Sequence, residues 1–202
     1  VWQYNTGDHT SRSFFQSSPL IVDGFLYFVS PGGRVIALDA ETGREIWAFD
    51  ARTQKMIESG YSMVSRGVCY WEADGVGRLY YTMEMSLYVI NAKTGRLVSE
   101  FGKDGILDFG ENLDGDPTPV FVSGASPGVV FEDYFILGMR IGEASGSSPG
   151  HIRAWDARTG EFRWIFNTIP KEGEFGDETW EWVKGETYGG ANPWGGLTVD
   201  EE

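Results

Sequence analysis

The sequence lacks several features that define common classes of protein. It has a single cysteine, Cys69, which excludes an internal disulfide framework and a zinc site built from cysteines. Lys and Arg number 16 against 30 Asp and Glu, giving a formal net charge of −14. This balance argues against binding to nucleic acid or to an anionic membrane surface, because both need clustered basic residues. No apolar run approaches the length of a membrane span.

Two further absences concern the chain ends and helices. The sequence begins at Val1 without an apolar targeting segment and stops at Glu202 without an obvious terminating element, so we expect a segment of a larger protein. No helical periodicity is apparent. Instead there are 28 Gly together with 8 Trp, 9 Tyr and 13 Phe. Aromatic residues favour strands and glycine favours tight turns, so the composition predicts many short strands.

One seven-residue sequence motif occurs three times, at residues 37–43, 89–95 and 154–160. Each copy has an apolar strand end, then Asp or Asn, and closes with Thr-Gly. The Asp or Asn side chain opens a turn by accepting backbone N–H bonds, and the Gly takes the positive φ that closes it. An apolar segment follows each turn, at 46–49, 97–98 and 162–166, and two strands precede it. The unit is therefore four antiparallel strands in tandem repeat, which is typical of a propeller blade.

The repeats resemble the tryptophan-docking motif of quinoprotein propellers. Residues 37–47 and 154–164 fit this eleven-residue motif and end in Trp47 and Trp164, whereas the second copy has Ser99 at that position. Further segments are similar to sugar and polyol dehydrogenases of the same family, namely 101–105, 151–170, 173–176 and 189–195.

The resemblance implies an all-β, eight-bladed quinoprotein β-propeller. This chain would hold about three to four four-stranded blades of it. The expected blade ranges are 14–50, 60–101 and 118–168, with the start of the next blade at 188–202.

The resemblance also implies two cofactors, pyrroloquinoline quinone (PQQ) and Ca²⁺. Arg66 matches the arginine that binds a PQQ carboxylate, and a guanidinium suits that group because it donates two parallel bonds. Trp194, in a glycine-rich segment, matches the tryptophan that lies under the flat cofactor. The alternatives are an exposed arginine on a blade edge and a tryptophan that packs between blades.

Four more positions follow from the same resemblance. Arg140 and Gln16 match residues near PQQ, and Ser126 lies where a threonine is usual, although the neighbouring Ala125 departs from the pattern. Glu143 falls at the position of a calcium-binding carboxylate, with a solvated loop glutamate as the alternative.

Two departures from the family pattern bear on the subclass. Alcohol quinoproteins carry adjacent cysteines shortly before this arginine, whereas here the place holds Gly60 and Tyr61. This difference favours the membrane-type glucose, quinate or polyol branch. The catalytic Asp and the calcium-binding Asn of the family would lie beyond residue 202, so no catalytic residue is assigned.

The implied function is oxidation of a sugar, polyol or alcohol, with electrons passed to a quinone or a cytochrome. The resemblance implies a periplasmic location, with membrane association only through regions outside this chain. We expect the isolated chain to be inactive and aggregation-prone. The alternatives are a non-enzymatic propeller that acts as a binding or assembly scaffold, and a sensor domain.

Overall fold

The computed structural model describes residues 1–11, 13–54, 65–109, 122–142, 147–181 and 189–200. These residues form short β-strands and two 3-10 turns, Ala51–Gln54 and Asp177–Thr179. The strands are β1 (Leu20–Val22), β2 (Phe25–Val29), β3 (Arg34–Asp39), β4 (Glu45–Asp50), β5 (Cys69–Ala73), β6 (Val76–Met83), β7 (Ser86–Asn91), β8 (Ile106–Asp108), β9 (Val122–Ser123), β10 (Val129–Phe131), β11 (Tyr134–Gly138), β12 (Arg140–Ile141), β13 (Ile152–Asp156) and β14 (Phe162–Phe166). Within the described ranges no α-helix forms, and so no helix there is long and apolar enough to cross a membrane.

The strands form three four-stranded antiparallel sheets and one small ribbon. The first sheet has the order β1-β2-β3-β4, the second β5-β6-β7-β8, and the third β10-β11-β13-β14, while β12 pairs with β9. Each strand of the first two sheets lies beside its successor in the chain, because short turns join them. This arrangement confirms the prediction of an all-β fold built from four-stranded units.

Two-residue turns set the register of the first hairpin in the first two sheets. Asp23 and Gly24 both have positive φ, 49° and 79°, and Asp74 and Gly75 have 53° and 74°. A turn of this type needs positive φ at both central residues, which Asp tolerates and Gly adopts freely. The prediction of a hairpin at Asp23-Gly24 is confirmed by the pairing of Val22 with Phe25.

The second sheet corrects one strand prediction. Residues 97–98 were expected to form the fourth strand, but Leu97 makes only an isolated bridge to Ile90, and the fourth strand is β8. Only two apolar residues precede Ser99, and the chain then reverses through Gly102 and Gly105, which have φ of 53° and 88°. The reversal brings Ile106 beside Tyr88 in the sheet.

The repeated turns form as their sequence predicts. The side chain of Asp39 accepts the Thr42 N–H at 2.8 Å, and Asn91 and Asp156 accept the equivalent N–H groups at 3.0 and 2.8 Å. Gly43, Gly95 and Gly160 close the three turns with φ of 73°, 71° and 77°.

Each of these turns receives an aromatic ring from the preceding part of the chain. Trp47 Nε1 donates to the Ala92 carbonyl at 3.0 Å, and its ring lies so close to Gly95 that an added β-carbon would be 2.6 Å away. The docking predicted for Trp47 is therefore observed on the second sheet.

Two docking rings were not predicted from the sequence. Trp2 lies against Gly43 and donates from Nε1 to the Ala40 carbonyl at 3.2 Å. On the third turn the ring of Phe101 takes this place, 3.1 Å from an added β-carbon at Gly160. Phe101 follows Ser99 by two residues, so the second copy keeps an aromatic dock although the motif position itself holds serine.

The core lies between neighbouring sheets. One buried cluster joins the first and second sheets, and a second cluster joins the second and third, where the rings of Tyr80 and Phe135 stack at 4.8 Å. The far side of the third sheet, by contrast, leaves Phe162, Trp164 and Phe166 exposed. The sheets therefore pack in series, and the series ends on an apolar face.

Candidate functional site

The candidate site lies where the first strands of the three sheets begin. The Ser18 N–H donates to the Arg66 carbonyl at 2.8 Å, and the Arg66 N–H donates to the Ala125 carbonyl at 3.0 Å. These residues precede β1, β5 and β10, so main-chain bonds connect the three strand starts in series. The backbone of Arg66 is held on both sides, and its side chain is half-buried.

Arg66 and Trp194 are in direct contact. The Arg66 Cζ atom lies 4.7 Å from the centroid of the Trp194 ring. A guanidinium over an indole face is attracted by the ring quadrupole. The Ser126 hydroxyl donates to the Trp194 carbonyl, and Trp194 itself remains 45% exposed. The structure thus brings together three residues that the sequence analysis had selected separately.

The segment that carries Trp194 packs against the third sheet through glycines. The Gly150 N–H donates to the Gly190 carbonyl at 3.0 Å, and the Gly190 N–H donates to the Ser148 carbonyl at 3.3 Å. Pro193 lies so close to Gly138 that a β-carbon there would overlap its ring. The close approach at these glycines fixes residues 189–196 beside the starts of β5 and β10.

Gln16 and Arg140 lie on the segments that flank this contact. Gln16 is exposed and precedes Ser18, whose N–H bonds Arg66. Arg140 is also exposed, pairs with Ser123 in the β9–β12 ribbon, and follows Gly138, which contacts Pro193.

The calcium assignment and the subclass argument fall on other residues. Glu143, Gly60 and Tyr61 lie outside the described residues. In the part of the chain that the structure describes, no three His, Cys, Asp or Glu side chains gather as a metal site would require. Glu143 as a calcium ligand therefore stays a prediction.

Sequence reasoning missed Thr82 in this region. Its hydroxyl donates to the Ser126 carbonyl at 3.1 Å across a sequence separation of 44 residues. No local motif marks Thr82, since its partner belongs to another sheet. The signal available in the sequence was a single hydroxyl at the end of an apolar strand.

Cys69 lies close to the site but is not suited to its chemistry. Burial raises the pKa of its thiol from 9.0 to about 11. A thiol with so high a pKa is neutral at physiological pH, and the thiolate is the form that attacks electrophiles or binds metals. Cys69 is therefore a packing residue at the start of β5.

Four-stranded sheets docked through aromatic rings on repeated turns, with an arginine held over a tryptophan at the strand starts, define a segment of a quinoprotein-type β-propeller. A family model described as "Glucose/ethanol/alcohol dehydrogenase, beta-propeller domain", the PQQ family, matches residues 1–202. The chain belongs to this family, as the repeats predicted.

Individual relatives agree with this assignment. The chain is 28% identical over 219 residues to the quinoprotein alcohol dehydrogenase PedH of Pseudomonas putida, covering 100% of this chain and 33% of that protein. It is 27% identical over 191 residues to the quinoprotein glucose dehydrogenase of Escherichia coli, covering 85% of this chain and 24% of that protein. Because the two identities are so similar, they do not separate the alcohol and glucose branches, and the branch assignment stays a prediction.

A solved structure supports the fold. The crystal structure of quinohemoprotein alcohol dehydrogenase from Comamonas testosteroni superposes with a TM-score of 0.61 at 26% identity, covering 84% of this chain and 23% of that one. The quinoprotein propeller fold is thereby confirmed. The chain spans about a third or less of the length of these relatives.

Proposed function

We propose that this chain forms part of a PQQ-dependent dehydrogenase that oxidises an alcohol, sugar or polyol. The observation that carries the proposal is the contact of Arg66 with the ring of Trp194 at 4.7 Å, at the point where three sheets converge. The family membership and the matching quinoprotein dehydrogenases support the same function. The activity of the whole protein is part of the proposal, since the chain covers only 33% of PedH.

The residues of the site fit PQQ, which is a flat quinone that carries carboxylate groups. The partly exposed indole of Trp194 offers a rigid surface for stacking. Arg66 would donate two parallel bonds to a carboxylate, and Arg140 is an exposed second cation two residues after Gly138, which contacts Pro193. The Ser126 hydroxyl donates a hydrogen bond to the Trp194 carbonyl, so its first role is to hold the tryptophan.

In this proposal the cofactor and the protein residues have separate roles. Bound PQQ supplies the redox chemistry that protein side chains lack. The described residues bind and orient it, with Trp194 as the stacking surface and Arg66 as the carboxylate partner. The proposal includes Ca²⁺ with Glu143 as one ligand, on the basis of the position of Glu143 and the preference of Ca²⁺ for carboxylate oxygens.

Further parts of the proposal rest on the family resemblance alone. They are a quinone or a cytochrome as electron acceptor, a periplasmic location, membrane association through regions outside this chain, and catalytic groups beyond residue 202. A sensor domain, or a propeller that acts only as a binding scaffold, would need the docking turns but not an arginine paired with an exposed tryptophan.

The test uses the full-length protein, prepared without PQQ and then supplied with PQQ and Ca²⁺. We expect dye reduction with alcohols or sugars, and we expect Arg66→Ala to weaken PQQ binding by about ten- to a hundredfold, as for loss of a charge-assisted bond. Arg96→Ala is the matched control, because Arg96 is an exposed arginine at the second repeated turn.

Three results would each contradict part of the proposal. Absence of PQQ binding by the wild-type protein would favour the scaffold or the sensor. Equal PQQ affinity of the Arg66 and Arg96 variants would remove Arg66 from the site. Substrate-dependent dye reduction by residues 1–202 alone would show that the catalytic groups lie within this chain.

A further inference from the structure

Thr82 lies near the end of β6 and is completely buried. It pairs with Leu87 in the second sheet, while its hydroxyl leaves the sheet and donates to the Ser126 carbonyl at 3.1 Å. The second sheet thus contacts the start of the third through a side chain as well as through the main-chain bond at Arg66.

Ser126 continues this path toward the candidate site. Its carbonyl accepts a hydrogen bond from the Thr82 hydroxyl, and its own hydroxyl donates to the Trp194 carbonyl. Ser126 is only 2% exposed. The two hydrogen bonds therefore connect the sheet that begins after Arg66 with the segment that carries Trp194, and both lie away from solvent at Ser126.

The packing around Thr82 leaves little freedom for this connection. A β-carbon added at Gly124 would lie 2.6 Å from the Thr82 Cβ atom, so a glycine is needed where the two segments meet. The Gly124 N–H also donates to the Glu84 carbonyl at 2.8 Å. Residues 124–126 are therefore pressed against residues 82–84, and loss of the Thr82 hydroxyl would leave the Ser126 carbonyl without its donor.

The two sides of the Arg66–Trp194 contact are held differently. Main-chain bonds to Ser18 and Ala125 hold the backbone of Arg66. The segment of Trp194 is held by main-chain bonds at Gly190, and Trp194 itself is held at its carbonyl by the Ser126 hydroxyl, whose own residue is bound by the hydroxyl of Thr82. Substitution of side chains therefore affects the placement of Trp194 more than that of the Arg66 backbone.

We propose that Thr82 is a positioning residue of the cofactor surface, which through Ser126 fixes Trp194 against Arg66. The inference rests on the proposed function for the identity of the ligand, PQQ. Thr82 itself touches neither the cofactor nor the reacting atoms. Its role is to hold the main chain of Trp194, from which the indole ring projects, in one place before PQQ binds.

The experiment is a double-mutant cycle in the full-length protein with equilibrium dialysis of PQQ as the readout. We expect Thr82→Val, which keeps the shape and removes the hydroxyl, to weaken PQQ binding by about tenfold. Thr82→Ser should restore binding to within about threefold of the wild type because the donor is kept. Thr94→Val is the matched control, because Thr94 is an exposed threonine in the turn after β7, where its hydroxyl accepts the Arg96 N–H at 3.4 Å.

The cycle separates positioning from general damage. In a Trp194→Ala background there is no ring to position, so Thr82→Val should then change PQQ affinity by less than about twofold. Equal losses in the two backgrounds, or no loss in either, would overturn the inference. Should Thr82→Val fail to fold, Thr82→Ala replaces it in the cycle.

A second readout needs no cofactor. The emission of Trp194, obtained as the difference between each protein and its Trp194→Phe counterpart, should become more accessible to acrylamide in Thr82→Val than in Thr82→Ser. Unchanged quenching would contradict the positioning role. If the wild-type protein binds no PQQ, the proposed function fails, whereas this comparison still decides whether Thr82 positions Trp194.

Discussion

At the scale of single residues, roles in this molecule depend on partners that are distant in sequence. Tyr27 and Trp47 both donate to the carbonyl of Ala92, at 3.1 and 3.0 Å, and Tyr80 donates to the carbonyl of Ala157 at 2.6 Å. Each bond satisfies a polar group at the edge of an apolar interface, where an unpaired donor or acceptor would cost free energy. Position near the site does not by itself give a residue a chemical role: Cys69 follows Arg66 by three residues, and its thiol is protonated at neutral pH.

We predict that Cys69 reacts slowly with thiol reagents in the folded protein. A pKa raised from 9.0 to about 11 reduces the thiolate fraction at neutral pH about hundredfold, and partial burial limits access further. The measurement compares labelling rates in native buffer and in denaturant. Rapid labelling of the native protein, at a rate close to that in denaturant, would contradict the raised pKa of Cys69.

At the scale of elements, the unit of assembly is a turn with the aromatic ring that docks on it. Gly95 has φ of 71°, and its α-carbon faces the ring of Trp47. Gly75 has nearly the same backbone conformation, with φ of 74°, but nothing lies within 4 Å of the place where a β-carbon would be. The two glycines therefore separate the cost of backbone strain from the cost of disturbing the dock.

We predict that Gly95→Ala destabilises the protein more than Gly75→Ala does. Gly75→Ala should lower the free energy of unfolding by about 1–2 kcal/mol, the cost of a left-handed alanine. Gly95→Ala should lower the free energy of unfolding by about 1–3 kcal/mol more than Gly75→Ala does, because the methyl group displaces the Trp47 ring. Urea unfolding of both variants measures the difference. Equal losses would show that ring docking contributes little to the contact between the sheets.

At the scale of the whole molecule, the three sheets in the described part of the chain pack in series, and the third exposes an apolar face. Trp164 stands at the same place in its repeat as Trp47, yet it is 38% exposed, and Phe166 beside it is 60% exposed. Patches of this kind mark an interaction surface. The net charge of −14 opposes self-association by long-range repulsion, but salt screens that repulsion beyond about 10 Å at 0.1 M.

We predict that residues 1–202, prepared alone, self-associate through this face, increasingly so as salt is raised. Phe166→Glu should reduce the association because it places a charge in the apolar face. Phe175→Glu is the control, since Phe175 is a fully exposed phenylalanine on the segment that follows β14. Light scattering after size-exclusion chromatography gives the mass of each variant. A monomeric wild-type sample at high salt would contradict the prediction.

Much of the fold could be predicted from local patterns. The repeated motif at 37–43, 89–95 and 154–160 predicted three turns correctly, because Asp or Asn accepts the turn N–H groups and Gly takes positive φ. The prediction of the fourth strand of the second sheet was wrong, because the pairing of that strand depends on the chain reversal at Gly102 and Gly105 rather than on the repeated motif. The docking of Phe101 was missed for the same reason.

The sequence by itself determined the repeated turns, most of the strands and the family, because these depend on neighbours along the chain. It also singled out Arg66 and Trp194, through resemblance. Only the tertiary structure decided that their side chains meet at 4.7 Å, and that the hydroxyl of Thr82 reaches Ser126 across 44 residues. The physical reason is that packing between sheets brings together groups whose separation along the chain carries no periodic signal.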